Sequence, residues 1–157
     1  MSDTFSEREI GASTAAEVAG FWTLFVTQTA GLFVIGAYAI PAYRLLFVGP
    51  GAGVPRAVAL PLAVAAVLMQ ICYWSRLRLL PVPSVRRDDL SGHILLFLAR
   101  TLFLCAAAFV PLALVRFGEV TPSPLAVVAA PLALFAVFCY ALELERLART
   151  RLAAESD

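Results

Sequence analysis

The side chains of this chain that could do chemistry are few, and they lie inside long apolar segments. Arg100 is the most notable, because it sits about 9 Å along such a segment, counted at roughly 1.5 Å per residue. Polar side chains at comparable depth occur in the other three apolar segments: Gln28, Gln70, Tyr140 and Glu143. Ionisable residues within membrane segments are rare and usually face protein or water, so these five are the candidate site.

Two interpretations of this polar layer are open. In the first, Arg100 binds an anionic group while Gln28 and Gln70 orient it, with Tyr140 and Glu143 beside them. In the second, Arg100 snorkels toward the near surface and pairs with Glu143, and the glutamines form hydrogen bonds between helices. The second is favoured, because one arginine within snorkelling reach of the surface is weak evidence for a ligand.

Other reactive groups show no spacing that favours catalysis or metal binding. His93 is the single histidine, and the three cysteines, Cys72, Cys105 and Cys139, share no CxxC spacing. Thiols isolated in apolar segments behave as small hydrophobic side chains. The sequence shows no recognisable acid–base pair and no phosphate-binding glycine loop. We therefore expect no catalytic residue, no metal and no cofactor, and we do not expect an enzyme.

The composition is that of a membrane protein. Apolar residues make up 61% of the 157 positions and charged residues 15%, with a mean hydropathy of +0.87. Average soluble domains are about 45–50% apolar and 25% charged. The net charge of +1 gives no basic footprint for nucleic acid. All 12 basic residues are arginine and lysine is absent, which indicates a GC-rich, bacterial genome.

The apolar segments predict an all-α integral membrane protein with four transmembrane helices. Each segment supplies the roughly 20 residues needed to cross the hydrocarbon. Short turns rich in glycine and proline connect them, which favours an up-down four-helix bundle. The predicted transmembrane domain covers residues 21–148, with spans at about 21–48, 57–80, 92–116 and 124–146. Residues 1–20 and 149–157 are the predicted tails.

The distribution of arginine predicts the orientation. Eight arginines lie on the side of the two tails and the middle loop, and three on the other side: Arg8, Arg76, Arg78, Arg86, Arg87, Arg146, Arg149 and Arg151, against Arg44, Arg56 and Arg116. Positive charge accumulates in the cytoplasm, so both termini are expected there, in a bacterial inner membrane.

The two helix pairs resemble each other at an offset of 70 residues. Pro41 then aligns with Pro111, and Pro61 aligns with Pro131. This predicts two tandem, parallel helix-hairpin repeats, an arrangement common among transporters. It also predicts bends at the four prolines.

The expected function is that of a small inner-membrane protein acting as a non-catalytic accessory or structural subunit of a membrane assembly. Its expected partners are the lipid bilayer and either further copies or other membrane subunits, with no nucleic acid. The alternative is a small oligomeric transporter or channel with a polar layer around Arg100.

Overall fold

A computed structural model describes residues 15–48, 54–80, 82–83, 88–117 and 124–152, and all regular structure in these residues is helical. Four helices follow one another along the chain: α1 (Ala15–Val48), α2 (Arg56–Leu79), α3 (Asp89–Phe117) and α4 (Pro124–Leu152). Each is long and apolar enough to cross a membrane. The predicted turns at 49–53 and 121–123 and most of both predicted tails lie outside the described residues.

The helix ends follow from local sequence. Pro55 precedes α2 in an extended conformation, and its carbonyl oxygen accepts hydrogen bonds from the backbone amides of Val58 and Ala59 in the first turn. Asp89 places a carboxylate in the first turn of α3, where the helix dipole favours negative charge. Pro124 occupies the first position of α4, where the missing amide hydrogen costs nothing.

The helices pack in the order α1–α2–α4–α3. Gly20 lies beside Leu80 and Gly31 beside Met69, so α1 and α2 run in opposite directions. Gly92 lies beside Leu152, and the rings of Phe103 and Phe138 are 5.0 Å apart, so α3 and α4 do the same. Helix α4 is central, and 39% of its most apolar stretch of 18 residues is buried. Helix α3 lies at the edge, and only 11% of the corresponding stretch is buried.

Small side chains let the helices approach closely. A Cβ atom on Gly31 would lie 2.6 Å from Cγ of Met69, and one on Gly92 would lie 2.9 Å from the Leu152 side chain. The buried faces of α2 and α4 are built largely of alanine: Ala59, Ala65, Ala66, Ala126, Ala129, Ala133 and Ala136. Such faces suit packing in lipid, where contact between backbones replaces the hydrophobic drive.

The outer surface of the helices is strongly apolar. Several large side chains are two-thirds or more exposed: Phe33, Leu79, Leu90, Phe97 and Leu104. Soluble monomers rarely expose contiguous apolar surface beyond a few hundred Å². The surface is therefore compatible with a small polytopic membrane protein.

The four aligned prolines lie inside helices α1 to α4, one in each. The predicted bends at these prolines and the predicted tandem repeat stay predictions.

Candidate functional site

A buried ionic cluster joins helices α1, α2 and α4. The guanidinium of Arg76, near the end of α2, lies 3.7 Å from the Glu143 carboxylate of α4, measured from Nη1 to Oε1. Its Nη2 donates a hydrogen bond to Oε1 of Gln28 on α1. These three side chains are 1%, 3% and 0% exposed, respectively. The cluster therefore holds a cation and an anion away from solvent and lipid, each beside an opposite charge.

Two phenyl rings enclose the cation. The centre of the Arg76 guanidinium lies 5.1 Å from the ring centroid of Phe21 and 5.1 Å from that of Phe25. A desolvated cation within about 6 Å of an aromatic face is stabilised by roughly 2 kcal/mol. Both rings of α1 therefore make cation–π contacts with the buried charge.

A second polar contact continues the cluster along α4. The hydroxyl groups of Thr29 and Tyr140 are 2.8 Å apart, and the Thr29 hydroxyl donates to the backbone oxygen of Phe25 at 2.8 Å. Since threonine has one hydroxyl hydrogen, Tyr140 is the donor in the first bond. The Tyr140 ring also stacks on Phe25, with centroids 5.8 Å apart. Helix α1 is therefore tied to α4 at two adjacent levels.

The cluster retains spare hydrogen-bonding capacity. Among the described residues, Nε2 of Gln28, the amide of Gln70, and Nε and Nη1 of Arg76 are buried without a hydrogen-bond partner. Arg76 and Glu143 form an ion pair, but the 3.7 Å between Nη1 and Oε1 is longer than a hydrogen bond. The arrangement thus holds charge by electrostatics and enclosure rather than by a closed network of hydrogen bonds.

The structure corrects one expectation for Arg100. The pairing of Arg100 with Glu143 is wrong, because Glu143 is buried against Arg76 and Arg100 is exposed at a groove between α3 and α4. The reason is rotational: Glu143 faces Arg76 of α2, whereas Arg100 lines the open groove on another side of α4, between α3 and α4. Within the described part of the chain, Arg100 has neither a hydrogen bond nor an ion pair.

The structure therefore places the predicted site residues in more than one region of the bundle. Gln28, Glu143 and Tyr140 come together around Arg76, and the half-buried Gln70 lies on the same helix as Arg76. Arg100 is apart from them. Whether any of the five binds a ligand stays a prediction.

Sequence reasoning misses the centre of the cluster. The arginine count places Arg76 among the positive charges of the middle loop, because Arg78 and two prolines follow it closely. Ala65, Met69, Cys72 and Arg76 recur at helical spacing and all are buried, but the other faces of α2 are also apolar, so this spacing alone does not identify the buried face.

The remaining candidates for chemistry do not assemble. Across the helices and short connections that the structure describes, no group of three histidine, cysteine or acidic side chains is placed to hold a metal ion. His93 is exposed, and its Nδ1 lies 2.8 Å from the backbone oxygen of Asp89. Cys72 and Cys139 are buried and Cys105 is exposed, and all three are free thiols.

Comparison of the chain with protein families, with curated proteins and with solved structures gives no match. Its functional assignment therefore depends on the geometry described above.

Proposed function

We propose that this chain is a non-catalytic accessory or structural subunit of a bacterial inner-membrane assembly. The main supporting observation is that the buried charges of this chain, Arg76 and Glu143, pair with each other inside the subunit. Arg76 and Glu143 are each 3% exposed or less, and two phenyl rings enclose the cation. A charge that binds or conducts a substrate must face a water-filled path. An enclosed pair instead fixes three helices to one another.

The proposed topology is an up-down bundle of two parallel helix hairpins with both termini in the cytoplasm. The packing order supports it, because α1–α2–α4–α3 reads the same from either end if α1 corresponds to α3 and α2 to α4. A two-fold axis along the membrane normal, between α2 and α4, would relate the hairpins. The excess of arginine near the tails and the middle loop supports the orientation.

The test is the composition of the particle extracted gently from its own membrane at native expression level. The accessory role predicts other membrane proteins in fixed ratio to this chain. Their retention should fall when Gln28→Leu or Glu143→Leu loosens the bundle, and should persist with Arg149→Leu, which removes a surface ion pair. A particle that contains this chain alone contradicts the proposal.

The alternative is a small oligomeric transporter or channel, and the exposure of Arg100 favours it. An arginine on a helix face in lipid is costly, by roughly 2.5–3.5 kcal/mol on insertion scales, so it usually faces protein or a water-filled cavity. Oligomerisation could place it there. This alternative predicts solute flux in liposomes that contain only the purified chain, and loss of that flux with Arg100→Gln. Liposomes that stay tight to anions and cations contradict it.

A further inference from the structure

Helices α3 and α4 form an open groove of about 330 Å³. Ala99 and Ala141 are buried at its floor, while Phe103, Leu104 and Leu142 rise beside it and are 48%, 67% and 50% exposed. Small residues at the floor permit close approach of another helix, and the exposed side chains provide ridges to enter such a groove. The groove thus has the shape of a helix-packing surface without a helix in it.

The same groove carries one charge of each sign, Arg100 on α3 and Glu145 on α4. The contacts of Gly92 with Leu152 and of Phe103 with Phe138 set the register of the two helices. By that register Arg100 is level with residues 141–142, about 5 Å from the level of Glu145. Side chains on a helix tilt toward its N-terminus, so in these antiparallel helices Arg100 and Glu145 tilt toward each other's level.

The two charges differ in their present partners. Glu145 accepts a hydrogen bond from Nη2 of Arg149 at 2.7 Å, and is 32% exposed. A carboxylate has about four acceptor positions, so Glu145 retains capacity for a second cation. Arg100 has no ion pair in the described part of the chain and is exposed.

We propose that this groove binds a second copy of the chain, related by a two-fold axis along the membrane normal. In such an interface each contact occurs twice, so Arg100 of each copy pairs with Glu145 of the other. The exposed Leu104 of each copy packs near the axis, over the alanine floor of its mate. The interface removes from lipid the cation whose exposure is otherwise most costly.

Charge complementarity selects a second copy over an anionic lipid. A surface with one cation and one anion at nearly the same depth is complementary to itself under a two-fold rotation. A lipid phosphate at Arg100 would instead meet the carboxylate of Glu145 in the same groove. The inference does not depend on the proposed accessory role, since a dimer can be a subunit or a transporter.

Charge reversal provides the first test, with the full chain in micelles and the monomer–dimer equilibrium followed by mass. Each single variant, Arg100→Glu or Glu145→Arg, should weaken dimerisation about tenfold or more, since two symmetric contacts are lost. The double variant should restore it. Arg78→Glu is the matched control, because that exposed arginine lies on α2, away from the groove.

Cross-linking in the native membrane provides a second test that does not change either charge. The background is Cys105→Ser, since Cys72 and Cys139 are buried and Cys105 is the exposed thiol. Leu104→Cys should then give a covalent dimer on mild oxidation. Val26→Cys is the control, because it is 63% exposed but lies on α1.

Three results would overturn the proposal. One is a particle of one copy at every concentration tested. Another is equal cross-linking at positions 104 and 26. The third is a double charge reversal that fails to restore association, together with loss of bound anionic phospholipid in Arg100→Glu, which would make the groove a lipid site. A particle without foreign subunits would contradict the accessory role but leave both tests unaffected.

Discussion

Replacement of Arg76 by leucine should destabilise the fold more than replacement of any other arginine in the described helices. The variant leaves the Glu143 carboxylate, 3% exposed, without its cation, and leaves Oε1 of Gln28 without its donor. At 3.7 Å and an effective dielectric constant of about 20, the direct attraction is about 4 kcal/mol. Removing one partner of a buried ion pair typically costs about 3–5 kcal/mol. We expect a loss of that size in the free energy of unfolding.

A double-mutant cycle separates the pair from its surroundings. Arg76→Leu combined with Glu143→Leu removes both charges, so the double variant should lose less than about 2 kcal/mol, and less than either single variant. The assay is reversible unfolding in mixed micelles by titration with a denaturing detergent, followed by tryptophan fluorescence.

Arg100 provides the control for this cycle, because its depth along the chain predicts it as the partner of Glu143. The coupling energy between Arg100→Leu and Glu143→Leu should stay within about 0.5 kcal/mol. A cost below about 1 kcal/mol for Arg76→Leu, or a coupling of Arg100 to Glu143 as strong as that of Arg76, would contradict the buried Arg76–Glu143 pair.

Two smaller predictions concern helix contacts. Gly31→Ala places a Cβ atom 2.6 Å from Cγ of Met69 and should cost about 1–3 kcal/mol by overpacking. Gly36→Ala meets open space inside α1 and should stabilise the fold by up to about 1 kcal/mol, because alanine favours a helix interior over glycine. Equal effects of the two variants in unfolding titrations would contradict the close approach of α1 and α2. Tyr140→Phe should cost about 0.5–1.5 kcal/mol through loss of its hydrogen bond to Thr29, and Thr29→Val should add little once Tyr140→Phe is already present. Full additivity of these two variants would show that the hydroxyl groups do not interact.

The existence of four long helices could be predicted from the sequence, because the apolar runs are long and uninterrupted. Hydrocarbon imposes this pattern strongly, since backbone polar groups must be satisfied within each helix. The depth of the polar layer could also be predicted, because residue number along a helix converts directly into distance. Gln28, Tyr140 and Glu143 accordingly meet in one region.

The rotation of each helix about its axis could not be predicted in the same way. The segments are apolar on every side, so the sequence gives little contrast between a face toward lipid and a face toward protein. Arg100 and Arg76 illustrate the consequence. Arg100, deep in its segment, is exposed, whereas Arg76, near the end of α2, is almost completely buried. Depth alone therefore selects the wrong cation as the partner of Glu143.

The packing order of the helices also could not be predicted from the sequence. Short connections predict that successive helices are neighbours, but α2 and α3 are joined by a short segment and still do not form a main contact. The alanine-rich faces of α2 and α4 pack together instead, because small side chains let those two helices approach closely.

If the four helices cross the membrane, the segments before and after α2 lie on opposite sides of it, and thiol labelling at one position in each segment tests this most directly. Cysteine would replace Gly51, between α1 and α2, or Ser84, between α2 and α3, in a Cys105→Ser background. With a membrane-impermeant reagent on intact cells, we expect Gly51→Cys to react at once and Ser84→Cys to react only after the membrane is opened. Reaction of both positions from the same side would contradict a chain that crosses the membrane between them.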